Sequence, residues 1–298
     1  MPTFLLLLPD FALIVLGVVL RRHLGLGDGF WSGLEKLVYF VLFPALLFGA
    51  LLRTHIDWGE AWPLFACGLL TMVSGFVLGW TAQPFARLSP MAFASRLQCA
   101  YRFNTYVGIA VAGKVHGAAG IAAMGALAGA MVPFANIMAV GMMARHGQGR
   151  LLQELLRNPL VLATLAGLLG NLSGLTLPVP VQQFLQRLAD ASIALGLLAV
   201  GAALRWGRVE GHWAGSAWLV VVKLVLLPIA ALWIGRLLGL EGLWLQIAVL
   251  FAALPSASSA YILAMRMGGD GPGVAWLISA TTIAAAATLT FWVSWLAA

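Results

Sequence analysis

Apolar stretches of about 20 residues recur along the whole chain, and this is the length that a helix needs to cross a lipid bilayer. Only 9% of the residues are charged and 62% are hydrophobic, whereas globular domains carry about 25% charged residues. In hydrocarbon every backbone N–H and C=O must find a partner within the protein, so a spanning chain forms helices or a closed barrel. The sequence therefore predicts an all-α polytopic membrane protein.

About ten such stretches can be counted, and short connections with glycine, proline and charge clusters separate them. The first stretch lacks the basic start of a signal peptide and contains Asp10, so we expect it to remain as a span. The approximate extents of the predicted spans are 3–20, 34–52, 60–82, 93–113, 117–143, 158–176, 184–204, 212–238, 243–265 and 273–297.

Positive charges are distributed unevenly between the connections. If both termini are periplasmic, the periplasmic side receives Arg53, Lys114 and Arg236, and the cytoplasmic side receives many more cations. This asymmetry fits the positive-inside rule. It also explains the net charge of +7 without a nucleic-acid partner, which would need basic residues on one solvated face. The cytoplasmic arginines are Arg21, Arg22, Arg87, Arg145, Arg150, Arg157, Arg205, Arg208 and Arg266.

The halves 1–150 and 151–298 match each other weakly but in a consistent order. Five spans per half is an odd number, so the second half must enter the membrane from the opposite side. An inverted repeat of this kind can adopt two non-identical conformations and exchange them, which opens a central site to either side in turn. The matched residues include Pro9 with Pro159, Gly17 with Gly167, Tyr106 with Tyr261 and Gly113 with Gly268.

The two halves also carry polar interruptions in matching places, at 104–110 in the fourth span and 254–261 in the ninth. A spanning helix is interrupted only where it lines a protected cavity, and one interruption in each half points to the binding site of a secondary transporter. Phe43, which precedes Pro44 in the second span, is a further candidate, although a helix kink is favoured there. The expected substrate contacts are Asn104, Thr105, Arg102, Pro255, Ser256, Ser258, Ser259, Tyr261 and Phe43.

A guanidinium at the centre of a spanning helix costs at least about 2.5–3.5 kcal/mol, so Arg102 is expected to face the protein interior. It either attracts an anionic substrate there, with Asn104 hydrogen bonding at the break, or is neutralised by a neighbour for packing alone. Pro255 either breaks its helix for a ligand or makes a plain kink that the serines compensate. A broken helix would direct a partly positive N-terminus at a bound carboxylate.

Three more ionisable residues fall inside predicted spans: Lys223 in the eighth, Asp190 in the seventh and Asp10 in the first. Such residues are candidates for a functional site, with a partner nearby. Either acid could neutralise Lys223 or Arg102, or bind a coupling proton. The alternative is a static buried ion pair.

No sequence motif supports an enzyme, since HExxH, GxSxG, a Walker loop and an aspartate-rich metal pair are all missing from the sequence. The five histidines show no metal spacing, so we expect neither a metal site nor a cofactor. Cys67 and Cys99 have no paired spacing and are interpreted as small buried apolar residues.

Five motifs occur in a characteristic order: Pro9…Gly17…Arg21-Arg22, Phe43-Pro44-Ala45-Leu46-Leu47, Asn158-Pro159-Leu160, Lys223-Leu224…Pro228 and Ala253-Leu254-Pro255…Ala260-Tyr261. Together they resemble bacterial members of the auxin efflux carrier family along essentially the whole chain. By position, Asn104 matches the family's crossover asparagine and Pro255 its ninth-helix proline. Where relatives often carry a second proline this chain has Ala110 and Ser258, and Ser259 replaces a common asparagine.

The resemblance implies ten spans in two inverted repeats, with broken fourth and ninth helices that cross at mid-membrane around the substrate. It implies a scaffold from spans one, two, six and seven (about 1–56 and 151–207). The remaining spans would form a mobile transport domain (about 57–150 and 208–298). Relatives carry auxin or small dicarboxylates such as malate and malonate.

We therefore expect a secondary transporter of a small organic anion that works by elevator-type alternating access. Its expected partners are this anion and the lipid bilayer, with a homodimer as one oligomeric option. Two alternatives stay open: a sodium-coupled symporter of the bile-acid-transporter-like fold, and a non-transporting membrane sensor.

Overall fold

The computed structural model describes residues 3–53, 58–143, 159–204, 213–257 and 259–297, and all regular secondary structure in these ranges is helical. The helices in chain order are α1 (Thr3–His23), α2 (Asp28–Leu37), α3 (Phe43–Arg53), α4 (Trp58–Trp80), α5 (Gln83–Ala86), α6 (Pro90–Leu97), α7 (Thr105–Met143), α8 (Pro159–Leu172), α9 (Val179–Ala203), α10 (Trp213–Val221), α11 (Leu227–Leu237), α12 (Gly242–Ala253), α13 (Ser259–Arg266) and α14 (Gly271–Ala297).

Helical residues fall within all ten spans that the sequence predicts. Six helical stretches among the described residues are long and apolar enough to cross a membrane, judged by length and composition. Four differences account for the number. One stretch contains the predicted fourth and fifth spans, which a kink at Gly117 (φ 59°, ψ −143°) separates within α7, and the ninth is split into α12 of 12 residues and α13 of 8. The sixth is represented by α8 of 14 residues, and the first, α1, is not among the six. The six stretches are Asp28–Leu52, Trp62–Trp80, Pro90–Met143, Val179–Ala203, Trp213–Leu237 and Gly271–Leu296.

The described residues group into two compact units. The first takes those within Met1–Asp57, Ile109–Ala130 and Leu152–Ala203, and the second takes the rest of the chain. The division predicted from the sequence kept 57–150 together, whereas Ile109–Ala130 belongs here to the first unit. The assignment of scaffold and transport roles stays a prediction.

Several sequence-based predictions concern positions outside the described residues. They are the candidate Ser258, the domain boundaries near 56, 150 and 207, and the cytoplasmic arginines Arg145, Arg150, Arg157, Arg205 and Arg208.

In the first unit α1 packs along α9, and α3 packs against α8 and α9. Two glycines allow the first of these contacts. A Cβ at Gly201 would overlap the backbone carbonyl of Ile14, and one at Gly17 would overlap that of Leu198. Small residues let helix backbones approach closely in membranes, where packing rather than the hydrophobic effect drives helix association.

In the second unit α11 packs against α4 and α12, and α13 packs against α14. The helix pair α10–α11 is continuous through a widened turn at Val222–Leu226, in which the Leu227 N–H bonds the Val222 carbonyl five residues back. Pro228 follows at once, and a proline cannot donate the hydrogen bond that a regular turn requires. Widened turns of this type are frequent at functional sites, and this one carries Lys223.

Candidate functional site

The first interruption lies at 101–104, between the short 3₁₀ turn that follows α6 and the start of α7. Asn104 is the residue that caps α7: its Oδ1 accepts hydrogen bonds from the N–H groups of Tyr106 at 3.0 Å and Val107 at 3.3 Å. Asparagine is among the best residues at this position because its side chain satisfies N–H groups that have no partner within the helix. The polar residue that weakens the span therefore also starts the next helix.

The second interruption lies at 254–257, between α12 and α13. Leu254 is extended, with φ −61° and ψ 145°, because the residue before a proline is disfavoured in the helical conformation. The Ser256 N–H, which a continuous helix would direct at the Ala252 carbonyl, instead donates to Thr281 Oγ1 at 3.2 Å. Lys223 Nζ donates to that Ala252 carbonyl at 2.8 Å. The backbone groups freed by the break thus find side-chain partners from α14 and from the widened turn.

The two interruptions are directly connected within the second unit. The Asn104 N–H donates to the Pro255 carbonyl at 2.9 Å. A second link joins the flanking segments, because Gln98 Nε2 donates to the Ala260 carbonyl at 3.1 Å. The first of these bonds joins backbone groups 151 positions apart in the chain. It gives a hydrogen-bond partner to one backbone group at each break, so each interruption stabilises the other.

Arg102 brings a cation to this junction. Its residue is only 5% exposed, and the guanidinium donates to Ser259 Oγ at 3.1 Å and to Asn136 Oδ1 at 2.8 Å. Ser259 is the first residue of α13, so Arg102 lies beside one helix N-terminus and three residues before another, that of α7. Helix N-termini carry partial positive charge and attract anions. Two N-termini and a guanidinium together make a positive site inside the second unit.

Two hydrogen-bonding groups at the junction have no regular hydrogen-bond partner among the described residues. Asn104 is 4% exposed, yet its side-chain amide N–H groups donate to none of these residues. The Ser256 hydroxyl is fully buried and makes no regular hydrogen bond with them; the Cys99 thiol, a weak hydrogen-bonding group, interacts with it. Because buried polar groups are nearly always hydrogen-bonded, these two side chains are suited to contact a bound solute.

The other predicted contacts lie in different places. Thr105, the first residue of α7, and Tyr261 in α13 are both half-buried and belong to the second unit. Phe43 is fully buried within the first unit, at the start of α3. Ser258 is outside the described residues.

The first unit holds an ion pair that the sequence did not assign. Asp10 in α1 is 7% exposed, and its Oδ1 lies 3.0 Å from Lys114 Nζ. The hypothesis from the sequence named Arg102 or Lys223 as the partner of an acid, and the partner of Asp10 is Lys114. Asp190 is exposed on α9 and accepts a hydrogen bond from Gln186 Nε2 at 2.7 Å.

The second unit contains a buried ion pair that was not predicted from the sequence. The Arg96 side chain is fully buried, and its Nε and Nη2 atoms both lie 2.5 Å from Asp270 Oδ2. Asp270 Oδ1 also accepts from the Gly273 N–H at 2.9 Å, so the carboxylate caps α14. The rule that singled out Arg102 applies equally to Arg96, since both fall within the predicted fourth span. Asp270 lies between glycines in a connection, where the sequence offers no sign of its partner.

Several membrane-length helices, together with two connected interruptions around a buried guanidinium, define a polytopic membrane protein with a polar internal site. The family model described as "Membrane transport protein" matches residues 143–293. The match covers just over half of the chain, which belongs to this membrane transport family, that of the auxin efflux carriers.

Two relatives match over nearly their whole length. A protein of Rhizobium meliloti described as "Putative malonate transporter" is 26% identical over 306 residues, which cover 96% of this chain and 93% of the relative. A protein of Methanothermobacter thermautotrophicus described as "Uncharacterized transporter" is 27% identical over 290 residues, which cover 94% of each chain.

Proposed function

We propose that this protein is a secondary transporter that binds a small organic anion between its two helix interruptions. The observation that carries the proposal is the hydrogen bond of 2.9 Å from the Asn104 N–H to the Pro255 carbonyl. Interrupted spans whose half-helix ends surround a solute are the recurring binding-site design of secondary transporters. A contact between the two interruptions supports the same design here.

The charge of the site favours an anion. Arg102 donates to the first residue of α13 and lies three residues before α7, so its positive charge adds to the partial positive charge of both N-termini. A carboxylate there would accept hydrogen bonds from Arg102, Asn104 and Ser256, each donor being a group that can stabilise a negative charge. Because the relative from Rhizobium meliloti is described as a "Putative malonate transporter", a small dicarboxylate is the substrate class we propose.

We propose ten spans in two inverted repeats, 1–150 and 151–298, with the interrupted fourth and ninth spans crossing near the bilayer midplane. Alternating access would follow from an elevator-type rigid shift of a transport domain (about 57–150 and 208–298) against a scaffold. The proposed location is a bacterial inner membrane with both termini periplasmic, as the arginine distribution favours. A homodimer is proposed as the assembly.

The test of the site compares malonate with malonamide, its neutral analogue, as ligands of purified protein. Arg102→Gln should weaken malonate binding by about 10- to 150-fold, because a hydrogen bond to a charged group contributes about 1.5–3 kcal/mol. Binding of malonamide should change much less. Arg236→Gln, which removes an exposed arginine of the same unit, is the matched control and should bind both as the wild type does.

If Arg102→Gln weakens the binding of malonate and of malonamide equally, an electrostatic role for this residue is contradicted. Reconstituted vesicles then separate transport from sensing. A transporter carries radiolabelled malonate across the membrane, whereas a sensor shows a ligand-dependent thermal shift without flux. Failure of every mono- and dicarboxylate to bind would reject the proposed substrate class.

A further inference from the structure

Lys223 is a buried lysine for which the anion site has no direct use. It lies in the widened turn Val222–Leu226, its residue is 1% exposed, and its Nζ donates to the Ala252 carbonyl at 2.8 Å. Among the described residues, no carboxylate lies within salt-bridge distance of it. The interior therefore holds a lysine amine whose partner is a backbone carbonyl.

The Ala252 carbonyl is the acceptor that the helix break leaves without its helical partner. A continuous helix would give it the Ser256 N–H, and this N–H donates to Thr281 Oγ1 instead. The carbonyl also lies at the C-terminal end of α12, where the helix dipole concentrates partial negative charge. An orphan carbonyl at the negative end of a broken helix offers one oxygen ligand to a cation.

In transporters with discontinuous helices, such helix ends bind the coupling ion. The unwound carbonyls and half-helix C-termini coordinate the coupling sodium ion or proton. Sodium prefers oxygen ligands, and the carbonyl that would supply one here is taken by the Lys223 ammonium. The lysine stands where a free monovalent cation would be bound.

We infer that Lys223 is a tethered cation that fills a monovalent-cation site at the C-terminal end of α12. The lysine occupies this place in the wild-type protein, which therefore has no room there for free sodium. The consequence for transport, that flux does not require a sodium gradient, rests on the proposed function. The cation site itself does not, because it is defined by the lysine and the orphan carbonyl.

The test removes the tethered charge and offers free cations in its place. The Tm of purified Lys223→Ala is measured in sodium chloride and in N-methylglucamine chloride at equal ionic strength, without any carboxylate present. We expect sodium to raise its Tm by about 2–4 °C or more, the shift that ligand binding of about 1 kcal/mol produces in a protein of this size. Methylammonium, which can donate to the carbonyl, should raise the Tm as well, whereas tetramethylammonium should not.

Matched variants separate this site from a general effect of salt. Lys36→Ala removes an exposed lysine of the first unit and should behave as the wild type does. Lys223→Gln keeps a donor for the Ala252 carbonyl and should lose most of the cation response.

A Lys223→Ala protein that responds to neither sodium nor methylammonium would overturn the inference. So would a sodium-specific rise in the Tm of the wild type, and this measurement holds even if the alanine variant does not fold. Because the readout is cation binding without flux or substrate, its failure is distinct from failure of the proposed transport function.

Discussion

Asn104 combines a structural and a proposed ligand-binding role in one side chain, and substitutions can separate them. Its Oδ1 caps α7 through the N–H groups of Tyr106 and Val107. Its amide N–H groups donate to none of the described residues and are the proposed contact for a carboxylate. The link to Pro255 comes from the backbone, so it survives any side-chain change that preserves the cap.

The expected magnitudes follow from these contacts. Asn104→Ala removes the cap, which costs about 0.5–2 kcal/mol of stability, and also removes the ligand contact. Asn104→Ser keeps a good cap, so the unfolding free energy should change little, but it loses the amide donor. A hydrogen bond to a charged group contributes about 1.5–3 kcal/mol, so both variants should bind a carboxylate about 10- to 150-fold more weakly. Asn104→Asp also keeps the cap and should repel the anion.

The assay pairs thermal unfolding with isothermal titration of malonate on each purified variant. The serine and aspartate variants should keep the wild-type Tm and lose affinity, whereas the alanine variant should lose both. If Asn104→Ser binds malonate as tightly as the wild type, the amide does not contact the ligand. If all three variants melt alike, the cap does not stabilise α7.

Two further predictions concern packing. Arg96→Gln should destabilise the protein by about 3–5 kcal/mol, because it leaves the Asp270 carboxylate without its ion-pair partner. When Asp270→Asn is added to the same chain, thermal unfolding should show that part of this stability returns. Purely additive losses in the double variant would refute the pairing. Gly201→Ala should cost about 1–3 kcal/mol because the new Cβ overlaps the Ile14 carbonyl. Gly141→Ala, which has nothing within 4 Å, is the control and should be neutral or slightly stabilising; equal Tm values for the two glycine variants would contradict the close approach.

Much of the helical architecture could be predicted from the sequence because spans of this kind are set by local composition. The apolar stretches mark where helices form, and two polar segments predict the breaks: 104–110 meets the observed break at 101–104 only through Asn104, whereas 254–261, with Pro255, contains the break at 254–257. Asn104 is a clear example: the same short polar side chain that weakens a span is a preferred helix cap. Break position and capping are local properties, so the residues alone reveal them.

The partner of a buried charged residue is not determined by the local sequence, so these partners could not be predicted. The acid that faces Lys114 is Asp10, and the Arg96–Asp270 pair joins residues separated by 174 positions. Nothing in the composition of either segment specifies the partner. The contact of Lys223 with a backbone carbonyl was equally hidden, because the Ala252 acceptor becomes available only when the helix breaks after it.

The most direct test of the central claim is a distance between the bound anion and Asn104. Rotational-echo solid-state NMR on reconstituted protein, with ¹⁵N in the side-chain amides of its four asparagines and ¹³C in the carboxylates of bound malonate, measures this distance. A hydrogen bond places the carboxylate carbon within about 4 Å of the amide nitrogen, so the account predicts strong dephasing that disappears in Asn104→Ser at ligand saturation. Saturating malonate without dephasing in the wild type, or dephasing that persists in Asn104→Ser, would place the anion elsewhere.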